Sequence, residues 1–405
     1  MTPSANRVYN RDRMKPVADQ RGISLIELMV ALTLSLIMVA ALAELYVNIS
    51  RGNQELTKTN SQIENARFAI QFLQNDVVHA GYWGTYVPGF DDLTTTEIPA
   101  DAPDQVPDPC LAFTTPWSTE YIESLLGIPV QVYDAVPGTC GGIITDRVAG
   151  TDILVVRHAS TCVPGDANCE PEIAGNLYFQ GSDCEDEIDL GFPYALDTVV
   201  ANFIRYERDC DGGSGTTPPT YTSGTVAAKR KFIQNIYYIR DYANTEDDGI
   251  PTLVRSRFDL NAAGTAVGQQ PAEELVQGIE QFLVEVGIDN LSDSGAAVNY
   301  TQAIAWADPD NLVSPSNRGD GIPDGSFIYC GASCNAAQLT NVVAIKMWVL
   351  ARTDDTTPGY VDTKVYQMGS NPIVSVDPVD KNFKRHVFSA TVRINNVAGR
   401  RETPI

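Results

Sequence analysis

The sequence is poor in histidine, with only His79, His158 and His386 among 405 residues. It offers no Ser-His-Asp order around a nucleophile elbow, no P-loop and no glycine-rich dinucleotide fingerprint. Carboxylates are plentiful, but none stands out as a glycosidase acid or base, and the chain reads as a non-enzyme. Basic residues are also scarce: 28 Lys and Arg face 51 Asp and Glu, a net charge of −23. That balance argues against general nucleic-acid binding, which needs a basic footprint, and suits a solvated acidic surface. Proline is missing between Pro16 and Pro88, so nothing in that stretch forbids one long helix. No cysteine precedes Cys110.

What is present begins with an apolar run. From Leu28 to Ala43 no side chain is charged. As a helix, Ile23 to Val47 would extend about 37 Å, enough to cross a bilayer. Before it, Arg7, Arg11, Arg13, Lys15 and Arg21 outweigh Asp12 and Asp19, which predicts a cytoplasmic leader and a translocated remainder. Within the run sits Glu27, although a carboxylate at a membrane helix centre costs about 2.5–3.5 kcal/mol on insertion scales. A secretory signal would place its cleavage site beyond a shorter apolar core. Here Gly22-Ile23 precedes the run, so the run would stay in the mature chain. An ordinary anchor with a Glu at the interface is the plainer alternative.

The order Gly22-Ile23-Ser24-Leu25-Ile26-Glu27-Leu28-Met29-Val30 resembles the class III signal of type IV prepilins. Ile23 stands where that family most often has Phe. The resemblance implies cleavage between Gly22 and Ile23 by a prepilin peptidase and N-methylation of Ile23. It also implies that Glu27 pairs with the N-terminal amine of a neighbouring subunit in the filament. A second stretch, Glu64 through Gly84, resembles the end of the first helix in PilW-type minor pilins through Glu64, Arg67, Phe68, Ala69, Leu73, Asp76, Val77, Ala80, Gly81, Tyr82 and Gly84. Residues 150–160, 341–353 and 385–400 resemble that family's strand motifs in the same order.

Past the bilayer, Leu56, Ile63, Ala66, Ile70, Leu73 and Val77 recur on one helical face, which predicts an amphipathic helix to about His79. Gly52 is the weak point and predicts a bend; Gly81 predicts the stop. Strands are expected at 152–158, 232–240, 281–288, 342–350 and 386–395. In the last, Phe388, Ala390, Val392 and Ile394 form an apolar face suited to the helix. Loops rich in Pro, Gly, Thr and Asp separate these strands, and such loops often carry recognition.

Cys110, Cys140, Cys162, Cys169, Cys184, Cys210, Cys330 and Cys334 all follow the membrane run, as an oxidising compartment would produce. Eight cysteines allow 105 pairings. Pairing of sequence neighbours is the default expectation. Zinc is the competing reading, since Cys330 and Cys334 have ligand-like spacing. Asn317, Asp320 and Asp324, in a glycine-rich stretch like the D-G-I-P-D element of calcium-binding repeats, are calcium candidates; a solvated turn is the plain reading. Otherwise no cofactor is expected. Arg318-Gly319-Asp320 matches an integrin-ligand tripeptide that arises easily by chance.

The expected fold is α+β and type IV pilin-like: a long N-terminal helix packed on an antiparallel sheet, with a loop-rich β domain stapled by disulfides. The expected divisions are a leader at 1–22, a membrane and filament-core helix at 23–47, its amphipathic half at 48–80 and a globular domain at 81–405, with a candidate inserted lobe at 100–225. The resemblance implies a minor pilin that primes assembly at the pilus tip and supports adhesion and twitching motility. Its implied partners are other minor pilins, the major pilin, a large tip adhesin and the inner-membrane assembly platform. The implied location is the inner membrane, with the domain in the periplasm, and then the pilus tip. A J-type secretion pseudopilin, a tethered periplasmic enzyme and a stand-alone adhesin are the alternatives.

Overall fold

The computed structural model describes residues 22–214, 218–331, 333–370, 373–375 and 381–403. The basic leader expected at 1–22 therefore lies outside the described residues, apart from Gly22. One helix, α1 (Leu25–His79), dominates the N-terminal part. It runs through Gly52 without interruption. A single glycine costs only about 1 kcal/mol in a helix, which the surrounding helix formers offset. Contact clustering divides the chain within α1, into residues 1–57 and 58–405.

In the first unit, apolar side chains from Ile23 to Ile49 are exposed within this chain, Leu36 at 74% among them. The segment is long and apolar enough to cross a membrane. In the second unit, α1 buries Gln62, Ala66, Ala69, Ile70, Leu73 and Val77. Leu56, expected on that face, is 64% exposed because the domain begins later along the helix. Helix α1 stops where Gly81 adopts a φ of +74° and donates its N–H to the Arg157 carbonyl at 3.0 Å. Val397 lies 3.1 Å from where a Cβ would stand, so glycine is favoured there on both counts.

The remaining helices are short: α2 (Thr119–Gly127), α3 (Glu185–Asp189), α4 (Ala336–Thr340) and α5 (Asn395–Arg401). In the first half of the domain the strands are β1 (Val130–Tyr133), β2 (Ile153–Ala159), β3 (Tyr178–Gly181), β4 (Tyr194–Asp197), β5 (Arg230–Arg240), β6 (Thr252–Leu260), β7 (Val267–Gln269) and β8 (Glu273–Gln277). They form one sheet. β1, β2 and β5 are consecutive neighbours, β3 and β4 extend it from β5, and β6 pairs with β5, β7 and β8. Residues 100–225, the candidate inserted lobe, thus supply β1 to β4 of this sheet.

The later strands are β9 (Ile279–Ile288), β10 (Trp306–Asp308), β11 (Val313–Pro315), β12 (Val342–Arg352), β13 (Val365–Gln367), β14 (Ile373–Ser375) and β15 (Arg385–Arg393). β15, β12 and β9 form a second sheet in that order, and β10–β11 and β13–β14 are separate pairs. Every pairing among these strands is antiparallel. The fold is therefore α+β, as the sequence predicts. The largest core joins α1, both sheets and α5, with Leu73, Val156, Val284, Ile345 and Ile394 fully buried in it. Phe388 and Ala390 pack against that core, so the apolar face of β15 meets it as expected.

Candidate functional site

The exposed N-terminal end carries its own hydrogen-bonded cap. Ser24 N–H donates to Glu27 Oε2 at 3.0 Å, and Glu27 N–H donates to Ser24 Oγ at 3.2 Å. This is a reciprocal capping box, in which each side chain serves the other's backbone. It satisfies donors that a helix end leaves open. Glu27 therefore has a local function in the isolated subunit besides any contact with a neighbour. Gly22 and Ile23 precede the helix in extended, exposed chain, and Ile23 is 75% exposed.

The other end of α1 is tied down by polar contacts from several elements. Asp76 accepts hydrogen bonds from His158 Nε2 at 3.0 Å, Asn235 Nδ2 at 3.0 Å and Tyr237 OH at 2.8 Å. Burial alone pushes this carboxyl up, but the His158 bond and charge, with Asn235 and Tyr237, outweigh it and hold Asp76 below the usual carboxylate range. Burial and the Asp76 charge push the Tyr237 phenol far up, so it remains a donor. Gln62 donates to the carbonyls of Ala351 and Lys384 at 2.6 and 3.1 Å. Asn396 donates to the carbonyls of Val78 and Ala80, and Arg400 to that of Gly81 at 2.7 Å. A helix C-terminus presents unpaired carbonyls and partial negative charge, which these donors meet. Arg401, buried, joins Asp91, Asp289 and Asn341 and fixes α5 in place.

Asp76, His158 and Ser160 border a cavity of about 400 Å³ and invite comparison with a catalytic triad. The geometry speaks against that use. His158 spends Nε2 on Asp76 and Nδ1 on the Ala159 carbonyl at 2.8 Å, leaving no ring nitrogen for Ser160. The Ser160 hydroxyl accepts from Cys162 N–H instead. The cluster serves as a polar anchor between helix and sheet.

Four disulfides join Cys110 to Cys140, Cys162 to Cys169, Cys184 to Cys210 and Cys330 to Cys334, the sequence neighbours in each case. No free cysteine is left among the described residues, which removes the zinc reading of Cys330 and Cys334. The calcium candidates do not converge. Asn317 spends its side chain on Ala303 and Ala305, Asp320 accepts from Ile322 N–H, and Asp324 accepts from the N–H groups of Asn290 and Leu291. The three oxygens therefore order separate backbone turns. Among the described residues, Asp108, Cys110 and Cys140 form the one compact group of ligand-type side chains, and its two cysteines are bonded to each other. Arg318, 2% exposed, donates to three backbone carbonyls and cannot be presented as an integrin ligand.

The Asp76 anchor is the feature that reading for chemistry overlooks. A signal exists: Asp76 lies beside Leu73 and Val77 on an otherwise apolar helical face, where a carboxylate requires partners.

Two family models match the chain. The prokaryotic N-terminal methylation motif covers residues 18–43, and type IV pilus-assembly protein W covers residues 236–396. Neither a curated protein nor a solved structure matches it. The first match falls on the capped apolar helix, and the second runs from β5 through all three strands of the second sheet to α5. With the methylation-motif helix at one end and the matching sheet at the other, the two matches support a PilW-like type IV pilin.

Proposed function

We propose that this pilin acts as a priming subunit at the pilus tip. The prepilin peptidase cuts between Gly22 and Ile23, and Ile23 is then N-methylated. The observation that carries this reading is the exposed apolar half of α1 joined to a firmly anchored half of the same helix. A bare apolar helix finds cover in a bilayer before assembly and among neighbouring helices afterwards. Within such a bundle Glu27 faces a neighbour's N-terminal amine, and the pair fixes register as much as it adds stability. The domain rests in the periplasm before assembly and reaches the cell surface with the pilus. There it meets other minor pilins, the major pilin and a large adhesin, and so supports adhesion and twitching. The inner-membrane assembly platform is the remaining partner.

The test is mass spectrometry of the N-terminus from pilus-producing cells. The expected peptide begins at methylated Ile23. Retention of residues 1–22 in subunits recovered from pili would contradict the proposal.

A further inference from the structure

The second sheet has two long edges, finished in different ways. On β9 the outer edge is covered residue by residue. The Phe282 carbonyl accepts from Asp152 N–H at 2.8 Å, and Val284 N–H donates to the Asp152 carboxylate at 2.8 Å. Val286 exchanges both backbone bonds with Ile328, and the Ile288 carbonyl accepts from Asp324 N–H. On β15 the inner register is set by Ile394 N–H donating to Val343 at 2.8 Å and by the Lys384 carbonyl accepting from Thr353 at 3.0 Å. Even-numbered residues therefore turn their backbone groups toward β12. Val387, Ser389, Thr391 and Arg393 turn theirs outward, since these directions alternate along a strand. No described residue pairs with those outward groups. β15 contains no proline or lysine and keeps register with β12 without a bulge; its arginines, Arg385 and Arg393, stand at its two ends and leave Val387, Ser389 and Thr391 as an uncharged stretch of edge.

Beside this edge, α1 and β15 bound a groove of about 430 Å³. Ile63 and Phe388 supply its apolar surface, and Arg67, Lys364 and Lys384 its cations, with the His386 ring beside them. Among the described residues no carboxylate lines it, in a chain with 51 Asp and Glu against 28 Lys and Arg. Arg385, also at the groove, is already paired with Glu280 and Asp362. Arg67 and Lys364 are exposed and form no ion pair with a described residue. His386 and Phe388 project from β15 into the groove. A strand added beside β15 would direct alternate side chains to the same place.

We propose that the outer edge of β15 receives an extended segment of another pilus subunit, adding a fourth strand and lodging acidic side chains against Arg67 and Lys364. Backbone bonds would supply attachment and the cations would supply selection. The proposal rests on the pilin reading.

Its test uses the mature full-length protein in detergent with an alternating Glu-Val octapeptide or its Lys-Val counterpart, following amide exchange residue by residue. The acidic peptide alone is expected to slow the Ser389 and Thr391 amides at least tenfold. The Ala390 and Val392 amides, already bonded to β12, should not change. The double variant Arg67→Glu/Lys364→Glu should transfer the preference to the lysine peptide. Ser389→Pro, which removes an outward donor only, should weaken the effect, with thermal unfolding confirming that each variant is folded. Absence of slowing, equal slowing by both peptides, or slowing at the even-numbered amides would overturn the proposal. In pilus-producing cells, a photo-crosslinker at Thr391 should capture an acidic extended segment of another pilus subunit. Capture of this chain itself, of a second copy, or of nothing in protein recovered from sheared pili would refute the edge assignment while leaving the pilin reading intact.

Discussion

The two halves of α1 share one secondary structure and differ in what stabilises it. Between Leu25 and Thr57 the apolar side chains find no cover within their own chain. From Lys58 to His79 the helix buries a small-residue and leucine face and is held by Gln62 and Asp76. Helix formation is therefore a poor guide to function here, and the environment each half requires is a good one. The first half needs lipid or other helices, whereas the second already has its partner.

Truncating one apolar residue in each half should separate the two most strongly. Leu73→Ala should cost the domain about 2–5 kcal/mol, because Leu73 is fully buried in the main core. Leu34→Ala should leave domain stability within about 0.5 kcal/mol. Urea unfolding of both variants in detergent is the measurement. A comparable loss from Leu34→Ala would mean that the domain depends on the first half.

Asp76 and Asp152 sharpen the contrast through pH. Asp76 lies below its ordinary value of 3.8, so its contribution is present above that value and is lost as pH falls through the lower folded pKa. Asp76→Ala should cost about 1–3 kcal/mol at neutral pH, with buried donors left unpaired, and should remove that acid-side loss. Asp152 behaves oppositely. Burial raises it to about 7, despite hydrogen bonds from Val284 N–H and Tyr329. Its neutral form is the favoured one in the fold, so its contribution is complete below about pH 4 and fades as pH rises through 7. Asp152→Asn should flatten that fall. Urea midpoints across pH 3 to 8 for the two variants should therefore change slope with opposite signs.

The smallest effect is expected at Gly52, where an added Cβ meets nothing within 4 Å. Gly52→Ala should raise local helix stability by about 0.5–1 kcal/mol and leave domain unfolding unchanged. Slower amide exchange at residues 48–56 is the expected observation. Faster exchange there would show that the glycine supports the helix in a way its open surroundings do not reveal.

Much of this organisation is legible in the sequence, for identifiable reasons. The uncharged run after Gly22 and the 3.6-residue face through Ile70 and Val77 are local patterns, and α1 obeys both. Strands β5, β9, β12 and β15 carry enough Val, Ile and aromatic residues to be found. β6 escapes because Arg255, Arg257 and Asp259 break its apolar pattern, and these charges are met only after folding, by Glu273 and Lys231. The Asp76 anchor is illegible in its particulars because its partners lie 82 and 159 residues away. Asn317, Asp320 and Asp324 are ambiguous for the converse reason: glycine-spaced oxygens look alike in sequence whether they bind a cation or cap their own turns.

The most direct test of the account is Glu27→Gln, because glutamine can retain the capping box with Ser24 while losing the charge. Membrane insertion should be no worse, since a neutral amide costs less in hydrocarbon. An amine left without its partner among packed helices typically costs about 3–5 kcal/mol. The measurement is the ratio of this protein in sheared pili to that in membranes, for wild type and variant. Equal membrane levels and a clear loss from the sheared fraction are expected. Equal recovery of both proteins in sheared pili would show that the Glu27 charge does not hold the subunit in the assembly.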